Sequence, residues 1–126
     1  MTGHTEYKWL IDQLSKFATH DVPASRIGAH GHAERQNESS LPLTEEERAR
    51  KHFLQQLDPE QKEMIAKMLQ HSRISGIHDV ACFLEGELSC GEMKLTIRGE
   101  QIEGSPYADM HFDLICRIEG DEWPDQ

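Results

Sequence analysis

Cysteine is scarce and odd in number: Cys82, Cys90 and Cys116, with no C-x-x-C pair among them. That excludes the disulfide framework of small secreted domains and the paired-cysteine zinc modules. Long apolar runs are also missing. Trp9-Leu10-Ile11 is closed off by Lys8 and Asp12, so neither a membrane span nor the apolar stretch of a secretion signal is expected. Gly91, Gly99 and Gly104 form no G-x-G-x-x-G or phosphate-loop pattern, which leaves a nucleotide site without support and no cofactor expected. Positive charge is scarce over residues 77–126, where three Lys/Arg face twelve Asp/Glu. This stretch holds nine of the ten net negative charges of the chain. A field of that sign repels phosphate backbones and attracts cationic surfaces, so the expected partner is a basic protein and not a nucleic acid. The basic residues Arg48, Arg50 and Lys51 adjoin Glu45, Glu46 and Glu47, which describes a solvated helix face. Thiol usage and the absence of a targeting segment read as a reduced, cytoplasmic protein.

The 126 residues are 37% apolar and 29% charged, which suits one globular domain over 1–126. Tyr7, Leu10, Ile11, Leu14, Phe17 and Ala18 share one face at 100° per residue and predict a helix over 5–19, with Trp9 on the opposite, polar side. Residues 20–43 lack periodicity and read as a flexible loop. Residues 44–90 read as helical. Thr44 with Glu47 makes a capping box, and Asp58-Pro59 with Gln61 makes a second. The expected buried positions are Ala49, Phe53, Leu54 and Leu57, then Met64, Ile65, Met68 and Leu69. Ser75-Gly76 is expected to break the chain before a further helix carrying Ile77, Val80, Ala81, Leu84 and Leu88. Antiparallel strands are then expected over 92–119. Met93, Leu95 and Ile97 alternate with polar residues, and a longer strand from Tyr107 to Glu119 alternates Met110, Phe112, Leu114, Cys116 and Ile118 with His111, Asp113, Arg117 and Glu119. The predicted class is α+β, with three to four N-terminal helices packed on a C-terminal antiparallel β-hairpin or meander.

Two segments carry a resemblance. One is Lys67-Met68-Leu69-Gln70 leading into Ile77-His78-Asp79-Val80. The other is the ending from Phe112-Asp113 through Arg117 to Glu119-Gly120-Asp121-Glu122-Trp123-Pro124. Together they resemble a family of small uncharacterised bacterial proteins, over the C-terminal half of the chain. The resemblance implies a bacterial cytoplasmic origin and no particular activity.

On the predicted strand His111, Asp113 and Arg117 share a face, where a carboxylate near an imidazole is how a general base is prepared. A solvated face with cross-strand ion pairs to Lys94 or Arg98 fits the same residues, and neither a nucleophile nor oxyanion donors accompany them. His78, Cys82 and Glu85 fall at i, i+4 and i+7 on one helix face. All three are zinc-ligand types, but they also suit a core helix with Cys82 packed as a small hydrophobe. No bound metal is expected. His30 and His32, with His20 and Glu34 nearby, form a similar loose set in the loop, which also suits a flexible polar segment.

Two functions follow. The first is a small non-enzymatic interaction module (an inhibitor, adaptor or immunity-type protein) that presents Trp9, Asp109, Glu119, Asp121 and Glu122 to a basic partner. The second is a small hydrolase using His111 and Asp113, with or without a metal near His78. A homodimer is also expected, because a two-stranded sheet leaves both edges unpaired, the strand from Ala108 to Ile118 less guarded than the other.

Overall fold

Helix α1 spans His4–Ala18 and buries Tyr7, Ile11 and Ala18 at helical spacing. The structure is a computed structural model and describes residues 4–20 and 42–124. The expectations for the 20–43 loop, including the His30, His32 and Glu34 set, fall on 21–41 and lie outside the described residues. The chain divides into two compact units, residues 1–20 with 73–126 and residues 21–72.

In the unit of residues 21–72, α2 covers Glu45–Gln55 and starts on the expected capping box. Glu47 N–H donates to Thr44 Oγ1 at 3.2 Å, and Thr44 N–H donates to Glu47 Oε2 at 3.4 Å. The second box forms as well: Gln61 N–H donates to Asp58 Oδ1 at 2.9 Å, and Asp58 N–H to Gln61 Oε1 at 3.0 Å. It opens α3, which runs from Pro59 to Ser89. The expected burial fails here. Leu54 is buried, but Ala49, Phe53, Met64, Met68 and Leu69 are exposed and Leu57 and Ile65 only half-buried.

The break expected at Ser75-Gly76 does not occur, and α3 continues through both residues. A mid-helix glycine costs about 1 kcal/mol relative to alanine. Here the cost is offset locally, because Arg73 Nε–H donates to the carbonyl of Phe17 at the end of α1, and Ala81 and Leu88 are buried beyond it.

In the unit containing α1, strands β1 (Leu95–Ile97) and β2 (Glu100–Ile102) pair antiparallel in the register Leu95↔Ile102, Thr96↔Gln101 and Ile97↔Glu100. The two-residue turn between them has Arg98 at φ 52° and Gly99 at φ 85°. Two successive left-handed residues match the right-handed strand twist, which is why such turns favour glycine.

The long strand expected over Tyr107–Glu119 is instead helix α4, Met110–Ile118. Met110, Leu114 and Ile118 satisfy period two and period four alike. The residues that separate the two periods are Phe112, more than half exposed, and Asp113, buried. The C-terminal end favours the helix: Gly120, at φ 91°, turns the chain so that Asp121 N–H bonds back to the Cys116 carbonyl at 2.9 Å, whereas Asp109 occupies the N-cap position without a side-chain capping bond. The fold is therefore mostly helical, with four helices and one small antiparallel hairpin among the described residues, and the hairpin precedes the last helix. The unguarded edge assigned to Ala108–Ile118 does not exist. Tyr7, Ile11, Ala81, Leu88, Ile102, Met110 and Leu114 form one apolar cluster, which α1, the end of α3, β2 and α4 share.

Candidate functional site

Asp113 is only 5% exposed, although it is a carboxylate in the first turn of a nine-residue helix. Its Oδ2 accepts hydrogen bonds from the Tyr7 hydroxyl and from Ser105 Oγ. The Ser105 hydroxyl oxygen in turn accepts from the backbone N–H groups of Tyr107, at 3.0 Å, and Ala108, at 3.1 Å. The loop before α4 is thus tied to α4 and to α1 through one carboxylate. Burial, and then the hydrogen bond to Asp113, push the Tyr7 phenol far above the usual tyrosine range, so it stays neutral and donates.

The Trp123 ring completes an aromatic group around Tyr7. It stands edge-on to Tyr7 at 6.0 Å and 5.5 Å from the Tyr107 ring. The Arg117 guanidinium lies over Trp123 at 5.1 Å and the Lys8 ammonium at 5.9 Å. Arg117 also donates Nε–H to Asp12 and Nη1–H to the Asp121 carbonyl, both at 2.8 Å, which fastens the C-terminal segment to α1 and α4.

Beside Tyr7 opens a cleft of about 580 Å³, lined by His4, Tyr7 and the run from Glu100 to Pro106. Its lining contains carboxylates at Glu100 and Glu103 and no lysine or arginine. At Gly104 a Cβ would stand 3.4 Å from both carboxylate oxygens of Glu85, and Glu85 Oε2 is buried with no hydrogen-bond partner.

His111, Asp113 and Arg117 do not share a face, because the segment is a helix. Asp113 and Arg117 lie one turn apart and face α1, where Tyr7 and Asp12 take them up. His111 meets His78 of α3 instead, ring to ring at 5.4 Å and edge-on, and its Nδ1 is buried without a hydrogen-bond partner. Cys82 Sγ lies 3.8 Å from His78 Nδ1, while Glu85 is turned toward Gly104. Among the described residues, no three of His, Cys, Asp and Glu gather where one metal ion could be held. Of the two cross-strand partners considered for that face, Arg98 is engaged differently: it stacks over Trp9 at 4.5 Å, and Trp9 is 40% exposed. Asp109, Glu119, Asp121 and Glu122 are all exposed.

Tyr7, Ser105 and Trp123 are the residues that sequence reasoning did not assign to this site. A tyrosine in an otherwise apolar stripe and an aspartate among apolar alternations were the available signals. Nothing local couples them.

The family model described as "Family of unknown function (DUF6547)" matches residues 2–125, and the chain belongs to this family. The match covers nearly the whole chain, not only the C-terminal half that the resemblance suggested. No curated protein and no solved structure matches the chain. No helix among the described residues is long and apolar enough to cross a membrane.

Proposed function

We propose that this protein is a non-catalytic interaction module whose acidic C-terminal half receives a basic protein partner. The observation that carries this reading is the different use of its carboxylates. Asp113, the one a catalytic scheme needs, is consumed by Tyr7 and Ser105 in the interior. Those at Glu103, Asp109, Glu119, Asp121 and Glu122 are exposed. An exposed acidic field steers a cationic surface to its docking site and contributes more to association rate than to final affinity. Trp9 offers an aromatic contact of the kind enriched at interfaces. The alternative, a small hydrolase using His111 and Asp113 with or without a metal near His78, retains the His78–His111 contact in its favour but loses its carboxylate.

The test is capture of partners from lysate on the immobilised full chain at two ionic strengths. A basic protein retained at about 0.1 M salt and released at about 1 M is expected, as the Debye length falls from about 10 Å to about 3 Å. Retention unaffected by salt, or firm binding to DNA or RNA at physiological salt, would overturn it.

A further inference from the structure

Strand β2 is paired with β1 on one side and, among the described residues, with no strand on the other. A two-residue turn makes Ile97 and Glu100 the first hydrogen-bonded pair of the ladder and Thr96 and Gln101 the following non-bonded pair. The N–H and C=O of Gln101 therefore point away from β1, toward the outer edge. Gln101 lines the 580 Å³ cleft together with Glu100 and Glu103. Unpaired main-chain groups beside carboxylates, in an open cleft without a lysine or arginine of its own, match the chemistry of an extended cationic chain. Such a chain offers N–H and C=O groups in strand spacing and charges on alternate side chains.

We propose that the outer edge of β2 is the docking site for an extended, lysine- or arginine-bearing segment of the partner, a proposal that rests on the acidic-module reading above. The segment adds as a third strand against Gln101, and because Glu100 and Glu103 are three residues apart and stand on opposite faces at period two, its alternate cationic side chains meet one carboxylate on whichever face they occupy. A helical basic segment does not fit, because its main-chain groups are already bonded within the helix. A second copy of this chain fits poorly. Two β2 strands paired antiparallel about Gln101 would crowd four carboxylates, Glu100 and Glu103 from each, and like charges on neighbouring strands repel.

The experiment measures fluorescence anisotropy of a fluorescein-labelled peptide of alternating lysine and threonine on the full chain at low salt. A counterpart N-methylated on alternate amides and a glutamate–threonine peptide are the comparisons. Gln101→Pro removes the outward N–H, which the hairpin ladder does not use, and proline is tolerated at a sheet edge. The lysine peptide is expected to bind and the glutamate peptide not to. N-methylation, Gln101→Pro and Glu103→Lys are each expected to weaken binding by about tenfold, the equivalent of one or two lost hydrogen bonds. Should Gln101→Pro unfold, the N-methylated peptide on the unaltered protein still decides. Equal binding of the methylated and unmethylated peptides would overturn strand docking and leave the acidic-module reading standing. No binding of the lysine peptide would overturn the docking site, while the module itself then rests on the lysate capture. A dimer that Gln101→Pro converts to monomer would assign the edge to a second copy and overturn the proposal.

Discussion

Tyr7 in the first helix donates a hydrogen bond to Asp113 in the last, across 106 positions of sequence, with both side chains buried. The pair joins α1 to α4, and Ser105 adds the intervening loop to the same carboxylate oxygen. A buried carboxylate is tolerated only while its donors remain, so stability should concentrate on these three side chains.

Removing one member leaves the others unsatisfied in the interior. Tyr7→Phe should cost about 1–2 kcal/mol, and Asp113→Ala, which strands two hydroxyls, about 2–4 kcal/mol. Urea unfolding of the single and double variants checks this. The double variant should cost clearly less than the sum of the two, since both remove one contact. Strict additivity would mean that the residues act independently.

The Tyr7 phenol gives stability a dependence on alkaline pH. Its folded pKa is raised above the ordinary 10.0, by burial first and by Asp113 second. The contribution is therefore complete below pH 10 and is lost as pH rises from there toward the folded value. Above pH 10 the unfolded chain releases a proton that the folded chain retains, so stability should fall by about 1.4 kcal/mol per pH unit. Tyr7→Phe should remove that slope. An unchanged slope in the variant would place its origin elsewhere.

Arg117 combines an ion pair, a carbonyl hydrogen bond and a ring contact, with Asp12, Asp121 and Trp123 respectively. Lysine has one charged group and no planar fork, so it cannot hold all three. Arg117→Lys should cost about 1 kcal/mol and loosen the segment that carries Trp123. In a Trp9→Phe background, the remaining tryptophan emission should shift to longer wavelength as Trp123 gains water. No shift would mean that Tyr7, Tyr107 and Lys8 hold the ring without Arg117.

The three thiols should react in a set order. Cys82 and Cys90 are exposed, whereas Cys116 is half-buried and its thiol is pushed up by burial and by Asp121 and Glu119. A disulfide reagent followed by mass spectrometry should modify Cys82 and Cys90 first, because the thiolate is the reactive form. Early modification of Cys116 would show that α4 opens readily.

Local signals were legible from sequence because neighbouring residues complete them. The boxes at Thr44–Glu47 and Asp58–Gln61 close within three residues, and α1 falls one residue from its expected limits. The hairpin was half legible. Alternation marked Leu95–Ile97, but its partner Glu100–Ile102 is too short to show a period, and only the left-handed turn at Arg98-Gly99 betrays it.

The sequence by itself determined the charge asymmetry, the caps and the first helix, all of which depend on composition or on contacts within one turn. Only the tertiary structure decided whether Met110–Ile118 is strand or helix, since its apolar residues satisfy both periods, and the choice follows from which side finds partners. As a helix it turns Asp113 inward to Tyr7 and leaves Phe112 outside. The same choice separates His111 from Asp113 and brings it to His78. A burial cost and the donors that offset it lie 106 positions apart here, and a contact that the chain closes only on folding leaves no periodic trace in its sequence.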